Sequence, residues 1–457
     1  MIRMTAGELA TAVGGRLQGD AGVAFTGVFS DTRTPREGGL FVALRGPNFD
    51  AHDHLHADLP APVLLVRRAR EDLPQAQVVV PDTGEALGRL AATWRRLCRA
   101  RVIALTGSNG KTTTREMLRS ILARMGRVHA TEGNLNNEIG TPLTLLAMPE
   151  DTDFAVIELG ANHAGEIGRM AAWTQPHVAM ITNAGHAHLE GFGSLEGVAH
   201  AKAEIYSGLP AQGGTAVVNL DDPFADYWLS LNEHHHLQRF SLEGGGEVEG
   251  VWVAPDRLRL TILGASREIR LAGPGRHVAA NAVAAAAAAN AAGAAIDIIA
   301  QGLSDWRPVA GRLQALQHAG GARIWDDSYN ANPDSLRAGL EVLAAVPGRR
   351  ILVLGEMGEL GGDAAALHVA TGREARAMGI DFCLALGELG RETADAFGEQ
   401  GEWFPDHAAL VARLQGLLDE RTTVLVKGSR SQHMESIVEA LDAQPLNPEA
   451  ADAVRTD

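Results

Sequence analysis

Residues 102–126 constrain the fold more than any other stretch of the chain. Val102-Ile103-Ala104-Leu105 is a short apolar run of the kind that forms a strand buried on both faces. The loop Thr106-Gly107-Ser108-Asn109-Gly110 follows. Beyond it, Met117, Leu118, Ile121, Leu122 and Met125 share one face of a helix predicted over 112–125, and Gly126 stands where a helix C-terminus takes glycine. Strand, glycine loop and helix in this order call for a parallel sheet covered by helices. Backbone N–H groups of such a loop, at a helix N-terminus, cradle phosphate. Lys111 would reach the terminal phosphates and Thr112 would ligate Mg²⁺. The loop departs from the regular phosphate-binding pattern, which needs glycine where Leu105 stands. A plain glycine turn before a surface helix is the competing reading. The buried strand before the loop and the Lys-Thr pair at the helix start favour phosphate.

The same alternation continues downstream. Strands are predicted at Phe154 to Ile157, Val178 to Thr182 and Thr215 to Val218, with helices between them. From Gly311-Arg312 onward a second βα series begins. Its strands are predicted at 323–326, 351–354, 382–385 and 423–426, and its helices at 335–346, 364–378, 407–418 and 431–441, around a separate core. Upstream, strand-like segments at 26–28, 39–44 and 63–66 precede a helix over 85–99. At 457 residues the chain exceeds what one core serves, ~250–300 residues, so three α/β domains are expected. They are a small α/β N-terminal substrate domain (1–98), a central P-loop domain with a mostly parallel sheet (99–311), and a C-terminal Rossmann-like domain (312–457). The polar tail after Pro445 is expected to fray.

A formal charge of −16 argues against a nucleic-acid binder, whose footprint is basic. Apolar content of 46% and charged content of 21% are those of an ordinary globular protein. Cys98 and Cys383 match neither a disulfide framework nor a metal spacing and suit a reducing compartment. The N-terminus lacks the apolar core of a signal peptide. The alanine run Ala282 to Ala289 is too short to span a membrane and reads as a helix packed in a core. A cytoplasmic, soluble protein is expected.

Ligands of open α/β sheets bind beyond the carboxyl ends of the strands. Glu158, Asn183 and His186 follow predicted strands, so Lys111, Glu158 and His186 could converge at one edge, with Glu158 a candidate Mg²⁺ ligand. Lys202, in Ala201-Lys202-Ala203-Glu204-Ile205, reads by itself as an ordinary helix lysine. The run His234-His235-His236 reads as a solvated loop. Asp326-Asp327-Ser328-Tyr329-Asn330-Ala331-Asn332-Pro333 is a polar cluster directly after a strand, with Pro333 preventing an earlier helix start. It suits recognition, and a loop with a helix cap is the alternative.

Thr106-Gly-Ser-Asn-Gly-Lys-Thr-Thr-Thr114 resembles the shortened P-loop of the Mur ligases, the ATP-dependent amide-forming enzymes of peptidoglycan precursor synthesis. Four further segments resemble the branch of that family that adds a dipeptide. They are Gly133-Asn-Leu-Asn-Asn-Glu-Ile-Gly-Thr-Pro142, Glu158-Leu-Gly-Ala-Asn162, Asp326 to Pro333, and Leu354-Gly-Glu-Met-Gly-Glu-Leu-Gly361. Ser30-Asp31-Thr32-Arg33, Gly39 to Ala43 and Asn48 to His52 are similar to the family's UDP-substrate domain. The resemblance implies ATP bound by Gly107, Ser108, Asn109, Gly110, Lys111, Thr112 and Thr113, with Asn281 at adenine, Arg312 near the phosphates and Asp327 on the nucleotide. It implies Mg²⁺ held by Thr112, Glu158, His186 and a carbamylated Lys202, which reverses the plain reading of that lysine. Lys111, Lys202, His186 and Glu158 would be the catalytic set. Ser30, Arg33, Asn48 and Asn137 would serve the UDP-N-acetylmuramoyl-tripeptide, and Tyr329, Asn330 and Asn332 would line the D-alanyl-D-alanine side. The implied reaction passes through an acyl phosphate, in a cytoplasmic monomer without membrane or nucleic-acid partners. Gly311 to Leu313 is the expected hinge for domain closure.

Three other readings compete. They are the ligase that adds the preceding amino acid, a folylpolyglutamate synthase, and an ATP-binding scaffold without catalysis. The absence of an Asp-Asn-Pro-Arg segment disfavours the first. The joint presence of Lys111, Thr112, Glu158, His186 and Lys202 disfavours the last.

Overall fold

The computed structural model describes residues 1–446. The tail expected to fray lies, but for Leu446, outside the described residues. Three sheets of five, nine and seven strands follow one another along the chain, beside a two-stranded antiparallel sheet of Arg3–Thr5 and Ala24–Thr26.

The N-terminal sheet runs in the order Arg16–Gln18, Ala76–Val79, Val63–Val66, Leu40–Val42, Val28–Phe29, with only the first pairing antiparallel. The strand expected at 26–28 is broken. Gly27, at φ +77°, separates Ala24–Thr26 from Val28–Phe29, and the two belong to different sheets. Helix Thr83–Leu97 closes the domain, capped by Asp82, which accepts from Gly84 and Glu85 N–H. Its apolar face packs against the central domain, and Trp94 donates its indole N–H to the Met148 carbonyl at 3.0 Å. One apolar cluster therefore runs across residue 98.

The central sheet is parallel from Val128–Ala130 at one edge, through Phe154–Glu158, Arg101–Thr106, Val178–Ile181, Thr215–Asn219 and His236–Ser241, to Val248–Ala254. An antiparallel meander, Arg257–Ile262 and Ala265–Arg270, extends its far edge. The P-loop helix is Lys111–Leu122, ending three residues before the apolar periodicity suggests. Gly126 is not left-handed. The chain leaves the helix through Ala123, and Gly126 packs against Asp153. Helix Arg276–Ala291 buries its alanine run completely between the sheet and the P-loop helix. Small side chains let it lie close to its neighbours. No helix among the described residues is long and apolar enough to cross a membrane.

In the C-terminal sheet Thr422–Lys427 lies between Arg323–Asp327 and Arg349–Leu354, and the parallel order continues with Phe382–Leu386 and Gly401–Phe404. Gln314–Gln317 and Gln444–Pro445 add antiparallel strands at the other edge. Helix Pro333–Ala344 begins at the proline itself, which suits the first helical position. The helix expected over 431–441 is a 3₁₀ turn, Arg430–Gln432, then a left-handed His433 (φ +49°) and a short helix, Glu435–Ala440. The expectation of a separate core holds for one face only. On the other face Trp325, Leu336, Leu340 and Leu425 join Val278, Trp306 and Leu313 in the cluster that contains the P-loop helix.

Candidate active site

The phosphate loop is shaped by close packing on two sides. A Cβ on Gly107 would lie 1.8 Å from Thr182 Oγ1, and one on Gly110 would lie 2.1 Å from Asn281 Oδ1. Gly110 also sits at φ +78°, where only glycine is unstrained. Asn183 clamps the loop: its Oδ1 accepts Asn109 N–H at 2.9 Å and its carbonyl accepts Ser108 N–H at 2.9 Å. No side chain caps the helix that begins at Lys111. Its first N–H groups, which have no intrahelical carbonyl, and its dipole are left to an anion.

Lys111 folds back on this loop, donating to the carbonyls of Gly107 (2.7 Å) and Ser108 (3.3 Å). Burial lowers its pKa, Glu158 opposes that, and Arg312 adds to it. Lys111, Glu158 and Arg312 are thus electrostatic neighbours. Glu158 ends its strand 2% exposed. Its Oε2 accepts from Arg115 (2.9 Å) and Thr112 (3.3 Å), its Oε1 accepts from Asn136 (2.8 Å), and its N–H donates to Thr131 Oγ1 (3.0 Å). Beside it a cavity of ≈ 550 Å³ is lined by Thr112, Arg115, Thr131, Gly133, Arg312 and Tyr329 among others.

Lys202 is 2% exposed, on helix Leu195–Ala203. Its ammonium lies over the Phe192 ring, 5.8 Å from the centroid, and has no carboxylate partner among the described residues. Burial holds its pKa well below the usual lysine range, and Lys111 pushes it further down. His186 is engaged by the third domain. Its N–H donates to Asp334 Oδ2 at 2.7 Å, and its ring lies 3.3 Å from the same carboxylate, without a hydrogen bond to Glu158. Thr112 and Glu158, with oxygens 3.3 Å apart, are an oxygen donor pair for a hard cation such as Mg²⁺. The described residues hold no group of three or more His, Cys, Asp or Glu placed for a metal. Such a pair suits an ion that also takes ligands from substrate phosphates.

The C-terminal domain meets this edge. Asn332 caps helix Pro333–Ala344 and donates across the domain boundary to Asn109 Oδ1 at 2.8 Å. Glu359 pairs with His188 across the same boundary. Arg312 stacks on Tyr329, 4.1 Å from the ring centroid, and Arg430 lies 5.6 Å from that centroid. Asp327 is taken up by the fold: it pairs with the buried Lys427 at 2.6 Å and accepts Leu313 N–H at 3.2 Å. Asn330 bonds its own turn through Ala331 N–H and gives its carbonyl to Lys427. In the N-terminal domain Ser30 is half-buried, Asn48 is exposed, and Arg33, 88% exposed, pairs with Asp31 at 2.7 Å. All three lie on loops beyond the carboxyl ends of parallel strands.

Asn137 does not reach Glu158. It accepts the N–H groups of Ile139 and Gly140, and its neighbour Asn136 makes the contact. Sequence reading missed Asn136, Arg115, Asp334 and Glu359. Arg115 was legible, because it lies three positions after Thr112 and therefore on the same helix face. The cross-domain partners had no local signal.

Fold and site together define a three-domain α/β enzyme of the nucleotide-binding P-loop class. Residues 105–289 match the Mur ligase middle domain, and residues 311–430 match the Mur ligase glutamate ligase domain. The chain belongs to the Mur ligase family. It is 45% identical to the UDP-N-acetylmuramoyl-tripeptide–D-alanyl-D-alanine ligase of Escherichia coli, across 96% of this chain and 99% of the relative. The ligase of the same name from Bacillus subtilis is 33% identical, across 98% of this chain and all of the relative (100%). A crystal structure of MurF from Acinetobacter baumannii superposes with a TM-score of 0.90 at 36% identity, covering 96% of this chain and 99% of that one.

Proposed function

We propose that the protein is an ATP-dependent, ADP-forming ligase that joins D-alanyl-D-alanine to UDP-N-acetylmuramoyl-tripeptide in peptidoglycan precursor synthesis. The observation that carries this reading is the Asn109–Asn332 contact, which sets the third domain directly on the phosphate loop. Near-full-length similarity to ligases of that name supports the substrates.

In the first step a carboxylate oxygen of the tripeptide attacks the γ-phosphorus of ATP. The bond to the β–γ bridging oxygen breaks, ADP leaves, and an acyl phosphate remains. The dipeptide amine then attacks the acyl carbon, phosphate departs with the C–O bonding pair, and the amine loses a proton. The helix N-terminus and Lys111 stabilise charge on the transferred phosphoryl group. Releasing Lys111 Nζ from the Gly107 and Ser108 carbonyls exchanges neutral acceptors for phosphate. Arg312 supplies a second cation from the domain boundary. Mg²⁺, when bound, would neutralise phosphate charge, and Thr112, Glu158 and His186 are the proposed side chains that hold it.

Carbamylation of Lys202 is part of the proposal. A buried amine with a depressed pKa carries the free lone pair that CO₂ needs. The N–C bond forms, a C=O π pair moves to oxygen, a proton leaves, and the uncharged amine becomes an anionic oxygen donor. Ser30, Arg33 and Asn48 are proposed for the UDP end, Asn281 for adenine, and Tyr329 with the Asn330–Asn332 loop for the dipeptide. A monomer in the cytoplasm is part of the proposal, and two buried free thiols fit a reducing compartment. Phosphate release tests the reading. It should require ATP, the UDP-tripeptide and D-alanyl-D-alanine together, and release independent of the dipeptide would overturn it.

A further inference from the structure

Glu158 is a proposed metal ligand, yet in this structure a buried arginine holds it. Arg115 is 4% exposed and Glu158 2%. Burying such a pair is expensive in solvation, and its net contribution to stability is small even with good geometry. The placement of Arg115 shows what the pair accomplishes. One guanidinium nitrogen, Nη1, donates to Glu158 Oε2 at 2.9 Å and to the Gly133 carbonyl at 3.1 Å, while Nε donates to Glu116 Oε1 at 3.0 Å. The side chain ties the P-loop helix to the end of the strand Phe154–Glu158 and to the loop that delivers Asn136. Asn136 holds the other carboxylate oxygen at 2.8 Å. With both oxygens held, the carboxylate plane is fixed, and Oε2 stays 3.3 Å from Thr112 Oγ1.

We propose that Arg115 is a positioning residue for the divalent cation: it sets the Glu158 carboxylate and the Gly133 loop in the geometry that receives Mg²⁺ beside Thr112. Lysine would not substitute fully, because one ammonium lacks the planar fork that spans Glu158, Glu116 and the Gly133 carbonyl.

The inference rests on the reading of Glu158 as an Mg²⁺ ligand, and its test reads nucleotide binding without turnover. ADP binding is followed by calorimetry over a range of Mg²⁺ in the parent protein, Arg115→Lys and Arg115→Met. Partners that orient a metal ligand typically change metal affinity about 10–100-fold when removed. Arg115→Met should therefore need about 10–100-fold more Mg²⁺ for half-maximal enhancement of ADP binding, with Arg115→Lys between it and the parent. An Mg²⁺ requirement unchanged or lowered in Arg115→Lys, alongside a lower unfolding midpoint, would make Arg115 purely structural and overturn the proposal. Should Arg115→Met not fold, Arg115→Lys carries the test. A parent whose ADP binding does not respond to Mg²⁺ would sink the metal reading of Glu158 itself, a separate outcome.

Discussion

Lys202 illustrates how burial changes the chemistry of a residue. In sequence it is one lysine on a helix. In the fold it is 2% exposed, lies over Phe192 and has no anionic partner among the described residues. A lysine left protonated there would bear the desolvation of an unpaired charge, so the amine is held toward its neutral form. Lys202→Ala should abolish ligation, and short-chain carboxylates should restore part of it by supplying the missing oxygen donor. Full activity in the variant, measured as phosphate release, would mean that the lysine has no part in the reaction. His277 makes a second prediction at this scale. Burial pushes its pKa down to about 4, with Asp327 opposing and Lys427 reinforcing. Between about pH 4 and 6.5 the unfolded chain binds a proton that the fold does not, so stability rises with pH across that window and is lost on acidification. Urea unfolding at about pH 5 and pH 7 should differ by on the order of 2 kcal/mol more in the parent than in His277→Gln. Equal pH dependence in the two proteins would mean that His277 does not contribute to the acid sensitivity of the fold.

Among the elements, the strand order explains the densest polar cluster. Thr422–Lys427 sits beside Arg323–Asp327 in parallel register, with Lys427 opposite Asp327. A hundred residues of sequence separate the two, so no local pattern could announce their pairing. Asp327→Ala leaves Lys427 buried without its anion and should cost about 3–5 kcal/mol. Asp334→Ala removes an exposed partner of His186 and should cost at most about 1 kcal/mol. Similar losses for both, read by denaturant unfolding, would contradict the burial argument. Sequence periodicity located the P-loop strand and helix and most parallel strands, because buried strands are short apolar runs. It passed over the meander at 257–270, although Arg257-Leu-Arg-Leu-Thr-Ile262 alternates strictly. Its tight turn at Leu263-Gly264 has positive φ at both residues, as a two-residue hairpin requires. The strands at 16–18 and 76–79 escape the pattern because Arg16, Gln18 and Gln77 interrupt their apolar character.

Across the whole molecule, three sheets share two apolar clusters that ignore the domain boundaries read from sequence. Beside the apolar cluster that crosses to the third domain, polar side chains meet across the boundary at the active edge: Asn332 to Asn109, Asp334 to His186, Glu359 to His188. Between the domains the chain passes through Gly311 (φ +73°) and Leu313 (φ +53°), both left-handed, with Asp326 accepting Gly311 N–H and Asp327 accepting Leu313 N–H. A non-glycine residue held at positive φ stores strain. That segment is where the hinge is expected, and the acidic pair of the third domain holds two of its N–H groups. The net charge of −16 conveys none of this, since Lys111, Lys202, Arg115 and Arg312 gather where the anionic substrates would meet.

In the proposed reaction the carboxylate of the tripeptide is activated by phosphoryl transfer before the dipeptide amine attacks it. Labelling that carboxylate with ¹⁸O and recovering the inorganic phosphate after ligation tests it directly. The released phosphate should carry ¹⁸O from the carboxylate, because that oxygen bridges carbon and phosphorus in the acyl phosphate. Phosphate free of label, with both labelled oxygens recovered outside it, would exclude the acyl phosphate.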